Sequence, residues 1–132
     1  MIYDVLKIHI DQSEADFQRV YKHCCTVLGL STPAVYLFSK SESNRSNVYN
    51  NWVFQDGKLV GPQNHRDFKG FAREFNKDLF IRAGLTKKET LLTLCHEMYH
   101  VWEYKIGKSC VDEDLAEEFA HETYNQLINK QI

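Results

Sequence analysis

A chain of 132 residues, 43% hydrophobic and 13% aromatic, can bury a core and has the size of a single domain over 1–132. Its net charge of −2 excludes the basic footprint of nonspecific nucleic-acid binding, so nucleic acid is not an expected partner. No apolar run approaches the ~18 residues that cross a bilayer, and Met1-Ile2-Tyr3-Asp4 carries no signal peptide, so a cytoplasmic location without a membrane partner is expected.

In chain order, Val5 to Ile10 alternates apolar and polar residues and predicts a strand. Ser13 is the expected cap of a helix over 14–28, whose stripe is Phe17, Val20, Tyr21, Cys24 and Leu28, and Gly29 ends it. Ala34 to Phe38 predicts a second strand. Ser39 to Asn51 is polar and reads as an exposed loop. Asn51 to Val60 suggests a hairpin turning at Asp56-Gly57. Asp67 to Asn76 reads as a short helix or irregular segment with Phe68, Phe71 and Phe75 inward. Leu79-Phe80-Ile81 is the expected last strand.

Thr86-Lys87-Lys88-Glu89 is a capping box that opens a helix of about twenty residues ending at Gly107. Leu91, Leu92, Cys95, Met98, Tyr99 and Trp102 give that helix a broad apolar surface. Asp112 can cap a further helix to about Asn129, with Leu115, Phe119, Tyr124, Leu127 and Ile128 as its expected buried side. The short loop favours an antiparallel pair. Cys24 and Cys25 are adjacent, and the four cysteines, which include Cys95 and Cys110, show no framework spacing. Reduced thiols are expected, with Cys24 or Cys25 and Cys95 in the core.

The first of these two helices carries the most specific pattern, His96-Glu97-Met98-Tyr99-His100, which is H-E-x-x-H. Four residues advance a helix by about 400°, so both imidazoles leave one face and can reach one Zn²⁺. Glu97 can then take a proton from a metal-activated water. A third protein ligand is needed beside an open position. Stepping back along the second helix as far as His100 lies before Gly107 brings Glu117 level with the metal. Glu113 is one turn earlier and His121 one turn later.

The H-E-x-x-H helix followed by an E-x-x-A helix resembles the gluzincin metallopeptidases, especially the minigluzincin and ImmA/IrrE-like forms. Leu94 to Trp102 also resembles the SprT-like proteases, although the histidine they carry in a Gly-containing loop after the helix has no counterpart here. The resemblance covers roughly the last third of the chain. It implies a zincin-like α+β fold: a small, mainly antiparallel sheet on a backing helix, an active-site helix and a C-terminal glutamate helix. It also implies a zinc metallopeptidase acting on a polypeptide, with Glu97 as general base and His96, His100 and a glutamate as ligands. Two frames fit the third ligand. Glu113, Ala116 and Glu117 follow the family motif, while Glu117, Ala120 and His121 follow the helix-pair geometry. In either frame the other glutamate orients a ligand.

In such folds an edge strand holds extended peptide, for which the hairpin or the Leu79–Ile81 strand is the candidate. His65, Tyr99 and Tyr124 are candidate contacts to the transition state. Two rival readings are a non-catalytic regulatory or protein-binding module on the same fold, and a structural zinc site closed by Cys110 or His121.

Overall fold

The computed structural model describes residues 2–40, 53–55, 58–60, 68–108 and 110–129. Strand β1 (Ile2–Lys7) leads through a 3₁₀ turn at Ile10–Gln12 into helix α1 (Ala15–Leu28). Then follow β2 (Val35–Lys40), β3 (Val53–Gln55), β4 (Lys58–Val60), β5 (Gly70–Arg73) and β6 (Asp78–Arg82). Helices α2 (Lys87–Lys105) and α3 (Glu113–Leu127) complete an α+β arrangement. The strands form one mixed sheet in the order β3-β4-β1-β2-β6-β5. Only the β2–β6 pair is parallel among the described strands; the rest are antiparallel as expected.

Alternation along the strands splits the apolar residues between two faces. Val35, Leu79 and Ile81 pack with Phe17, Val20, Leu94, Met98 and Ala120 under the helices. Tyr3, Phe38, Leu59 and Phe80 form a second cluster. Within it Phe71 stacks on Phe80 with centroids 4.7 Å apart. Cys24 Sγ of α1 meets Cys95 Sγ of α2 at 3.8 Å, and all four cysteines are free thiols. Among the described residues no helix is long and apolar enough to cross a membrane.

Several expectations are corrected. β1 lies nearer the N-terminus than 5–10, because Ile2 to Asp4 also pair with β4. Glu14, not Ser13, caps α1 by accepting from Phe17 N–H at 3.2 Å, while Ser13 Oγ donates to Ile10 O. The expected helix or irregular segment over 67–76 is replaced, in its described part, by a strand, Gly70–Arg73, that turns at 74–77 into β6. The spacing of Phe68, Phe71 and Phe75 imitates a helix face, yet Phe75 is 91% exposed and Phe68 is also exposed. Arg73 and Asp78 pair across that hairpin through a two-pronged ion pair. Leu79–Ile81 is not an edge, since β6 runs between β2 and β5; its continuous burial is what an internal strand requires. Leu115 is 44% exposed, and α3 buries Ala116, Ala120 and Thr123 instead. The Asp56-Gly57 turn, the 41–52 part of the polar loop and His65 lie outside the described residues.

Candidate metal centre

Helix α2 begins as its capping box predicts, with Thr86 Oγ1 accepting from Glu89 N–H at 3.1 Å. Gly107, at φ 78°, carries the chain out of the helix in a left-handed conformation. Between these ends α2 is buried against α1, α3 and the β5–β6 hairpin, and it carries His96, Glu97, His100 and Glu103.

His96 Nε2 and His100 Nε2 face each other 3.0 Å apart. Two nitrogens on one tetrahedral Zn²⁺ at ~2.0–2.1 Å stand about 3.3 Å apart, so the pair is already close to chelating distance. Glu113 closes the group, with Oε2 2.8 Å from His96 Nε2 and Oε1 3.1 Å from His100 Nε2. One ligand atom from each of the three residues lies within 4.8 Å of the others, so His96, His100 and Glu113 can hold a metal ion.

The outer ring nitrogens also meet carboxylates. His100 Nδ1 is 2.8 Å from Glu103 Oε1, and His96 Nδ1 is 2.6 Å from Glu117 Oε1. The Glu117 contact is an ionic neighbour rather than an aligned hydrogen bond, since buried His96 Nδ1 has no partner of hydrogen-bond geometry. The Glu103 carboxylate favours the ring proton of His100 on Nδ1 and leaves its Nε2 lone pair towards His96 and Glu113. Two imidazole Nε2 atoms and a carboxylate, with His96 Nε2 2.8 Å from Glu113 Oε2, are donors that one cation can share. That donor chemistry fits a metal.

The structure therefore groups Glu113, not Glu117, with the two imidazoles, which favours the motif frame over the helix-pair frame. The reason is the corner between the helices. Glu103 Oε2 accepts from Asp112 N–H at 2.9 Å, so the chain is tied back to α2 one turn past His100. The first residue of α3 already reaches the histidines. Counting outward from Gly107 points instead to Glu117, one turn further along α3.

Glu103 was not foreseen. It is fully buried and also accepts from Lys108 Nζ at 3.0 Å. Burial pushes its carboxyl up, but the hydrogen bonds from His100, Lys108 and Asp112 together outweigh burial and hold it below the ordinary carboxylate range. Its place three residues after His100 on the same helix was the available signal.

Glu97 is buried beside the group, with Oε2 4.0 Å from His96 Nε2. Burial, followed by the charges of Glu113 and Glu117, pushes its carboxyl up to about 8; a cation among the ligands would act in the opposite direction. Gly70 in β5 packs directly on this part of α2. A Cβ there would stand 2.6 Å from Phe80 O and from Thr93 Cγ2, and 3.4 Å from Glu97 Cγ. Only glycine permits this approach of strand to helix.

The group opens into a cleft of about 650 Å³ between β5 and the start of α3, bordered by Phe68, Phe71, Leu92, Tyr104, Val111 and His121. His121 Nε2 stands 3.4 Å from Glu117 Oε2, outside the ligand group, as is the exposed Cys110. Tyr99 packs between Trp102 and Phe119, and Tyr124 lies under Lys88 Nζ. The tyrosine on the cleft is Tyr104, whose hydroxyl is pushed up by burial and then by Glu74, Glu97, Glu103 and Glu113. No protein-family model, curated protein or solved structure matches the chain.

Proposed function

We propose that the chain is a small zinc-dependent metallopeptidase of the gluzincin type. The observation that carries this reading is the convergence of His96 Nε2, His100 Nε2 and the Glu113 carboxylate beside buried Glu97 in an open cleft. Two imidazoles and one carboxylate suit zinc and leave a coordination position free, which distinguishes a working site from a closed structural one. Zinc held there supplies Lewis acidity, lowering the pKa of a water towards ~7 and polarising a carbonyl.

The remaining chemistry belongs to the chain. Glu97 accepts the proton of the attacking water and delivers it to the leaving amine. Glu103 and Glu117 orient the imidazoles from behind. β5, last in the order of the described strands and bordering the cleft, is the strand along which an extended polypeptide substrate would lie.

Substituting Glu97 tests the reading. Glu97→Gln retains the shape but accepts no proton, so zinc content stays near one equivalent while peptide hydrolysis falls about 10²–10⁴-fold. Full-length protein that binds no zinc in reducing, chelator-free buffer defeats the proposal. Equal activity in wild type and Glu97→Gln, with zinc in both, favours the non-catalytic module.

A further inference from the structure

Among the carboxylates of the centre, Glu103 is fully buried with both oxygens hydrogen-bonded. Its side chain has no exposed surface. Oε1 meets His100 Nδ1 at 2.8 Å, while Oε2 accepts from Lys108 Nζ at 3.0 Å and from Asp112 N–H at 2.9 Å. Asp112 is the N-cap of α3, with its own carboxylate accepting from Leu115 N–H at 3.0 Å. The next residue is Glu113. One buried group therefore contacts a histidine of the centre and the backbone from which the third donor starts.

We infer that Glu103 is the positioning residue of the centre: it fixes which ring nitrogen of His100 faces the cleft and where α3 begins. The inference deepens the metal-site reading and rests on it for its consequence, though not for its geometry. A carboxylate only accepts hydrogen bonds, so Oε1 retains the ring proton of His100 on Nδ1 and leaves the Nε2 lone pair towards His96 and Glu113. Lys108 and the Asp112 amide only donate, so Oε2 must remain an acceptor as well. The site demands acceptors at both ends of one planar group, and Glu supplies both.

Glutamine cannot supply both. Its single oxygen is drawn to the side with two donors, one of them charged. The amide nitrogen then faces His100 Nδ1 and donates to it. The ring proton moves to Nε2, and the lone pair that would bind a metal is lost. Shape, volume and the tie to Asp112 are all retained, which separates this role from simple packing.

The test uses the full chain, ¹⁵N-labelled and stripped with a chelator, and reads the His100 tautomer from two-bond ¹H–¹⁵N correlations. Zinc affinity is measured by competition with a chromophoric chelator. Metal-free wild type is expected as Nδ1–H at His100. Glu103→Gln is expected as Nε2–H, with unchanged helix content and a zinc affinity about 10–100-fold weaker. Nε2–H in metal-free wild type overturns the inference, and this measurement stands even if the variant does not fold. Loss of zinc in Glu103→Gln with an unchanged tautomer also overturns it, because a merely structural role would look like that. Wild type with Nδ1–H that takes up no zinc overturns the metal reading instead, so the two failures are distinct.

Discussion

The two halves of the centre are built differently. The inner half, His100 with Glu103, lies on one helix with side chains 6% and 0% exposed, and their mutual contact of 2.8 Å is shielded. The outer half sets His96 against Glu113 and Glu117, whose side chains are 66% and 59% exposed on α3. Attraction between groups in the low-dielectric interior is strong, but an interior group left without its partner carries the full desolvation penalty. Charges at the surface are screened and can be satisfied by water. The inner half is therefore tied to folding, and the outer half to holding the ion.

The largest expected effect separates the two histidines. His96→Ala and His100→Ala should each abolish zinc binding, yet only His100→Ala strands Glu103 Oε1 in the interior. Measured in chelator, His100→Ala should lose about 1–3 kcal/mol more stability than His96→Ala. Equal melting temperatures would break the comparison. The next effect lies wholly within the outer half. Glu113→Ala removes a donor and should weaken zinc binding by more than the roughly 10–100-fold expected of Glu117→Ala, which removes an orienting neighbour. Both should leave metal-free stability within about 0.5 kcal/mol of wild type. The reverse ranking in zinc titrations would restore Glu117 as ligand.

Gly70→Ala tests the close approach of β5 to α2 beside Glu97. Its methyl group would collide with Phe80 O and Thr93 Cγ2, at an overpacking cost of about 1–3 kcal/mol by denaturant unfolding. A neutral outcome would mean that β5 yields without disturbing Glu97.

The smallest effect is a surface contrast on the α1–α2 seam. The Lys87 ammonium, chiefly through its hydrogen bond, holds Asp16 below its ordinary value of 3.8. A lowered folded pKa contributes stability above the unfolded pKa, and that contribution disappears as pH falls through the folded value. In chelator, a small deficit of Lys87→Met in melting temperature at pH 6 should close as the pH drops below about 4. A deficit that widens there would overturn the assignment.

The H-E-x-x-H helix, its capping box, the α2–α3 pair and the antiparallel β3–β4 pairing were legible because each follows from spacing of a few neighbouring residues. β5 was not. Three phenylalanines at helical intervals outweighed the one glycine that marks a close approach, and Arg73–Asp78, its cross-strand pair, reads as ordinary surface charge in one dimension. The internal position of β6 depends on pairing with β2, some forty residues earlier, which local pattern does not encode. The three residues that can hold the ion were narrowed to two frames. The choice turned on Glu103 reaching the Asp112 amide, a contact that only the folded corner creates.

Because α2 packs on α1, α3, β5 and β6, its amides from His96 to Glu103 should exchange with solvent only when the whole fold opens. α3 fully buries Ala116, Ala120 and Thr123 and only half-buries Phe119, Tyr124 and Leu127 against the core, so it should open more readily than α2. The centre straddles that boundary, with two imidazoles on the slow side and Glu113 on the fast one. Escape of a bound ion would then follow the breathing of α3 rather than global unfolding, and hydrogen exchange at α3 and metal off-rates should change together.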